Sequence, residues 1–328
     1  MFAGLSGAGA HVPAPSLPDC DRNAGVSVDG TLAGVLEIVP ELQNRRSVSE
    51  LVGGLTNTNY KVETDDGAYV VRVSSKDAGL LAIDRENEYL NSVAAAEAGV
   101  GAAVVAYLPE QSVLVLEFIE GTTQTAEDLR RGDKLDLAAA ACRQLHGARR
   151  FRDDFYMFDI QRRYLGIVQE RGFRLPERYL EFEPQVRAIE EAMAVRDEGT
   201  VPCNNDLLAE NFIEVGGAFR LIDYEYSGNN DACFELGNVW SESNLSLEQL
   251  DELVTHYYGR LLRNKVARAR LWGLMSKYGW TLWASIQDGV SEIDFDFWEW
   301  GMEKYERAVA EFEGSGFELL LEDVQRAD

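Results

Sequence analysis

The sequence predicts an α+β protein built as two lobes, the first rich in strands and the second mainly helical. Three observations carry this. Alternating β-branched and aromatic runs crowd between Leu51 and Phe118. Helical periodicity takes over from Leu135 onward. A strand-rich island, Asn211 to Tyr226, interrupts those helices. Strands and helices segregated in this way argue against alternating βαβ units.

Taken in order, residues 1–30 mix Gly, Ala, Pro and Asp and read as a flexible N-terminal extension. A short helical patch follows at Leu32, Val35, Leu36, Ile38 and Val39. Leu51-Val52 opens the strand texture. Asp65-Asp66-Gly67 then joins Tyr60–Thr64 to Tyr69–Val73 as a hairpin, because it supplies a turn between two alternating runs. From Asp84 to Ala98 the period becomes helical, with Gly99 as the stop. Ala103–Tyr107 and Ser112–Phe118 return to strand. The first lobe is drawn at 31–120 and the second at 121–328. Helices are expected in the second at Leu135–His146, Arg162–Glu170, Glu183–Val195, Leu247–Leu262, Arg268–Gly289 and Phe297–Glu313.

The charge balance narrows the partners. With 56 acidic residues against 31 basic ones, the formal net charge is −25. Such a surface repels phosphate backbones and anionic lipid, so no nucleic-acid partner is expected. No apolar run reaches the length of a membrane span, so no membrane insertion is expected either. The N-terminal residues lack the pattern of a signal peptide, and the four cysteines form no CxxC pair. A cytoplasmic location, with free thiols and neither disulfide framework nor zinc site, is the expectation.

The chemistry concentrates in Pro202–Tyr226. Phe212–Val215, Gly216-Gly217 and Ala218–Ile222 read as a hairpin with a two-residue turn. Folding it pairs Val215 with Ala218 and Phe212 with Leu221. Counting outward, Asn211 falls beside Ile222 and within reach of Asp223, at the open end next to Asp206. An Asp, an Asn and a second Asp at one mouth suit phosphoryl transfer. Magnesium takes oxygen ligands from carboxylates and amides, and a further carboxylate can take the proton of an acceptor hydroxyl.

These residues resemble the motifs of the choline/ethanolamine kinase family, within the protein-kinase-like small-molecule phosphotransferases that also hold the aminoglycoside kinases. The family's Cys-His-Asn-Asp, four residues and Asn stands here as Cys203-Asn204-Asn205-Asp206 and Asn211. Its Ile-Asp-Phe/Tyr-Glu-Tyr, with Phe-Asp-Ile-Gly-Asn downstream, stands as Ile222-Asp223-Tyr224-Glu225-Tyr226 and Phe234-Glu235-Leu236-Gly237-Asn238. Asn204 replaces the His and Glu235 an Asp. The resemblance implies a bilobal protein-kinase-like fold, with ATP and Mg2+ as cofactors. It implies Asp206 as catalytic base, Asn211 and Asp223 on the metal, and Glu225 supporting the metal shell or the substrate side.

The first lobe would then bind nucleotide. Gly53 and Gly54 let backbone approach phosphates, and Thr56 and Asn57 add donors. By resemblance Arg72 takes the phosphate-pairing position on the third strand, with Glu88 favoured over Glu86 as its ion-pair partner. Glu117 to Ile119 would form the hinge whose backbone meets adenine.

On the acceptor side, Trp280 and Trp283 lie three apart and share a helix face. By resemblance they form, with Trp300, an aromatic wall around a quaternary ammonium, with Glu242 adding charge. The implied substrate is a small amino alcohol, choline first or ethanolamine. An aminoglycoside-type or other small-molecule kinase is the alternative, and an inactive kinase-like binding protein, motivated by Asn204, is the third reading.

Overall fold

A five-stranded antiparallel sheet forms one end of the protein. The computed structural model describes residues 30–74 and 79–327. The extension expected at 1–30 lies outside these, except Gly30, which begins the first helix. That helix is α1 (Gly30–Ile38), followed by β1 (Arg45–Leu51), β2 (Asn57–Thr64), β3 (Ala68–Ser74), α2 (Arg85–Glu97), β4 (Val104–Leu108) and β5 (Val113–Glu117). The strand order is β1-β2-β3-β5-β4, which puts β3 at the centre. Alternation along β2 buries Tyr60 and Val62, which meet Val71, Val113 and Val115 beneath Leu32, Val35 and Leu36 of α1. Burial of such side chains contributes roughly 1.5–3 kcal/mol each. The Asp65-Asp66-Gly67 hairpin forms as expected, pairing Glu63 with Ala68.

The remainder is helical around small sheets: β6 (Thr122–Thr123), α3 (Ala126–Leu129), α4 (Lys134–His146), α5 (Met157–Arg171), α6 (Glu183–Ala194), β7 (Val201–Cys203), β8 (Phe212–Val215), β9 (Ala218–Leu221) and β10 (Gly228–Asn230). Helices α7 (Ala232–Glu242), α8 (Leu247–Tyr258), α9 (Arg263–Val290), α10 (Phe297–Phe312) and α11 (Phe317–Val324) complete it. Helix α9 is the spine: α5, α7, α10 and α11 all pack on it. Helix α2 belongs to both regions. Its Ala94 and Ala95 join the helical core, and Asn87 and Asn91 donate to the Ser227 carbonyl at 2.9 and 3.2 Å.

Several boundaries differ from expectation, two of them for local reasons. Strand β1 starts at Arg45, because a polar, exposed edge strand carries no alternating pattern. Helix α8 stops at Tyr258, where Gly259 adopts the left-handed conformation of a helix end. Helix α11 escapes the periodicity reading altogether. Among the described residues, no helix is long and apolar enough to cross a membrane.

Candidate active site

The β8–β9 hairpin sets the reaction end. Its Gly216-Gly217 turn has φ of 59° and 81°, as a two-residue hairpin of this hand requires. Phe212 pairs with Leu221 and Val215 with Ala218, the register expected from the sequence. Ile222 N–H donates to the Asn211 carbonyl at 3.1 Å, so Asn211 and Asp223 flank the open end. Asn211 Nδ2 donates to the Asp206 carbonyl at 2.7 Å, which commits the amide donor and leaves Oδ1 as the acceptor. Asp223 has φ of 63°, a conformation few residues with a Cβ adopt.

Asn204 holds that unusual turn in place. Its Nδ2 donates to the carbonyls of Ile222 at 3.1 Å and Asp223 at 2.8 Å, while its Oδ1 accepts the Asp206 N–H at 3.1 Å. The residue that departs from the expected His therefore bridges the Asp206 loop and the Asp223 segment by itself. Behind it, Asn205 N–H donates to Glu235 Oε1 at 3.0 Å, and Leu207 N–H to Asn238 Oδ1 at 2.5 Å. Both acceptors lie on α7.

Burial raises the Glu235 carboxyl from 4.5 to about 7. A carboxyl raised on folding contributes its full stability below pH 4.5 and loses it as the pH rises through about 7. Glu235→Gln keeps an oxygen for Asn205 and removes the titration. Its melting temperature is expected to fall less than that of the wild type between about pH 5 and 8, the remaining fall coming from other raised carboxyls such as Asp206. Parallel declines in a thermal-melt series would refute this.

Four carboxylates gather at the mouth. Burial pushes Asp206 well above its ordinary range, reinforced by Asp223, Glu242 and Glu225, while Lys304 opposes. Arg72, on the central strand, offsets much of this charge. Its Nη2 reaches Asp223 Oδ1 at 2.6 Å and Glu225 Oε2 at 2.9 Å, and its Nε lies 3.0 Å from Glu88 Oε1. Burial disfavours the guanidinium charge, but these three neighbours hold it. Glu88 is thus the helix carboxylate that meets Arg72; Glu86 pairs with Arg152 at 2.7 Å near the surface.

The glycine loop folds onto the same cluster. A Cβ on Gly54 would come within 2.4 Å of the Asn57 carbonyl, so the backbone there has to be bare. Gly53 has φ of 120°. Thr56 Oγ1 and Asn57 Nδ2 each donate to Glu225 at 2.7 Å, the anion within their reach. Gln287 of α9 donates to the Leu55 carbonyl at 3.0 Å. In the hinge segment, Glu117 N–H is used by Ala103 O at 2.9 Å; Ile119 is half-buried.

The tryptophans lie deeper than a simple wall. Trp280 and Trp283 are 4% and 5% exposed. Trp283 Nε1 donates to the Tyr226 hydroxyl at 2.8 Å, and its ring meets Trp300 edge-on at 5.5 Å. Trp280 meets Tyr226 edge-on at 5.0 Å. Because Tyr226 follows Glu225 directly, the aromatic set is contiguous with the acidic mouth. Trp300 is half-buried, and Glu242, the last residue of α7, is ion-paired to Lys304, whose ammonium lies over the Trp300 ring.

Comparison with known proteins adds the decisive observation. A family model described as choline/ethanolamine kinase matches residues 48–257. The chain belongs to that family. It is a kinase-like phosphotransferase. Ethanolamine kinase 2 of Homo sapiens is 26% identical over 313 residues, covering 83% of this chain and 80% of the relative. A choline/ethanolamine kinase family protein from Mesorhizobium loti superposes with a TM-score of 0.79 at 29% identity, covering 89% of this chain and 97% of that one. LicA in complex with AMP superposes with a TM-score of 0.68 at 25% identity, covering 88% and 98%.

In this choline/ethanolamine kinase family member, sequence reasoning missed several partners. Arg85 Nη1 contacts Glu88 at 2.7 Å and Glu225 at 3.2 Å. Its place three residues before Glu88 on one helix was the available signal. Tyr226 and Gln287 carried none, since their partners come from distant segments.

Proposed function

We propose that this kinase transfers the γ-phosphoryl group of ATP to the hydroxyl of a small cationic amino alcohol, choline first and ethanolamine second. The observation that supports it most is the single mouth where Asp206, Asn211 and Asp223 meet, with Arg72 tying that mouth to Glu88. The oxygens of Asn211 and Asp223 fit a hard divalent cation, with Glu225 close by. Bound there, Mg2+ would neutralise phosphate charge. Asp206 would orient the acceptor hydroxyl and take its proton as the new O–P bond forms and ADP leaves. Gly53, Gly54, Thr56, Asn57 and Arg72 would receive the phosphates, and the Glu117 to Ile119 backbone the adenine. Trp280, Trp283, Trp300 and Glu242 would hold the cationic end.

A magnesium-dependent ADP-release assay across choline, ethanolamine, thiamine and an aminoglycoside tests this. Turnover is expected with the first two. Turnover confined to the aminoglycoside would favour the alternative acceptor class, and ATP binding without any turnover would favour a binding protein. Trp283→Phe is expected to raise KM for choline about tenfold while changing KM for ATP less than about twofold. Equal losses for both ligands would assign Trp283 to the core alone.

A further inference from the structure

Two of the six lysines in this acidic chain are buried around the acceptor end, Lys277 and Lys304. Lys304 Nζ pairs with Glu242 Oε2 and lies 4.2 Å from the centroid of the Trp300 ring. Its side chain is 7% exposed and that of Glu242 4%. Glu242 Oε1 is buried without a hydrogen-bond partner among the described residues. Lys277 covers the Trp240 ring at 3.9 Å, and Arg307 donates to the Ser241 carbonyl at 2.9 Å, next to Glu242. A pocket for a cationic ligand gains most from a carboxylate and an aromatic face that the ligand itself desolvates. Here an internal ammonium already holds one oxygen of the carboxylate and a position over the ring.

We infer that Lys304 is a specificity-determining residue, competing with the ammonium group of the acceptor for Glu242 and the Trp300 face. The inference rests on the amino-alcohol reading above. While Lys304 stays paired, Glu242 Oε1 is the contact left for an incoming cation. A protonated primary amine can donate a hydrogen bond to that oxygen; a trimethylated nitrogen has no N–H to give. Lys304 therefore narrows the margin by which the site favours choline over ethanolamine. Neutralising it frees the ring and the whole carboxylate, which suits the bulkier cation.

The test is Lys304→Gln, which removes the charge and keeps a hydrogen-bond donor for Glu242. KM for choline is expected to fall about tenfold, that for ethanolamine less, and that for ATP to change less than about twofold. Tetramethylammonium, which has no hydroxyl to phosphorylate, is expected to raise the melting temperature of the variant more than that of the wild type. An unchanged or higher choline KM, with no added tetramethylammonium shift, would overturn the inference and leave Lys304 as the structural partner of Glu242. In the double variant Glu242→Gln/Lys304→Gln the choline gain is expected to shrink to what the freed Trp300 ring supplies; an undiminished gain also overturns it. If Lys304→Gln melts below the assay temperature, tetramethylammonium must restore it, and failure to do so counts against the inference. Absence of turnover in the wild type would sink the activity reading, while the tetramethylammonium shift still reads the role of Lys304.

Discussion

Asp206→Ala is expected to lower turnover by about two to four orders of magnitude while leaving ATP affinity nearly unchanged. The reason for expecting a clean loss lies in the backbone. Asp206 is held through its N–H, by Asn204, and through its carbonyl, by Asn211. Alanine keeps both bonds, so the loop and the Asn211 amide should stay where they are. What disappears is the carboxylate proposed to take the acceptor proton. Burial first, and then Asp223, Glu242 and Glu225, pushes the proton affinity of this carboxyl upward, so its removal relieves a desolvated charge and costs the fold little. Single-turnover ADP formation and calorimetric titration with ATP measure the two halves. Retained turnover would remove Asp206 from the role of base.

Arg72→Met should be the most damaging single change to the fold. The guanidinium stands among Glu88, Asp223 and Glu225, and the side chain is 7% exposed. Methionine keeps much of the volume but leaves buried carboxylates without their main counter-charge, a change that typically costs about 3–5 kcal/mol. Among the described residues Arg85 reaches Glu88 and Glu225 and not Asp223, so its compensation is partial. Arg72→Lys should rescue little, because a single ammonium cannot match a planar fork that faces three partners. Urea unfolding of both variants provides the check, together with KM for ATP, which should rise steeply in each. Near-wild-type stability for Arg72→Met would mean that the carboxylates are protonated or solvated, and that Arg72 is not their counter-ion.

Much of the site was legible because local rules reach it. A Gly-Gly turn between two short alternating runs dictates a register, and that register carries Asn211 to Asp223 without any long-range information. Helical spacing likewise places Glu86 and Glu88 on one helix, and the family resemblance favours Glu88 between them. What escaped was whatever depends on backbone acceptors or on packing across the chain. Asn204 looked like a defect beside the expected His, since its partners are the carbonyls of residues 222 and 223 and no side-chain pattern announces them. Lys304 carries no local signal, because its partner Glu242 lies on α7, 62 residues away in the chain. Helical spacing puts Trp280 and Trp283 on one face, but it cannot distinguish rings as nearly enclosed as these from the lining of an open pocket.

Gln287 gives α9 a second duty. It lies one turn beyond Trp283 and grips the glycine loop at Leu55, whose neighbours Thr56 and Asn57 are fastened to Glu225. On the proposed assignment of the two sites, the same helix would bear on both substrates. With both ligands bound as proposed, a displacement of α9 by the acceptor would reach the glycine loop through that hydrogen bond, and lifting the loop would pull on the helix. Such linkage is reciprocal: whatever factor the amino alcohol imposes on the affinity for ATP, ATP must impose on the affinity for the amino alcohol.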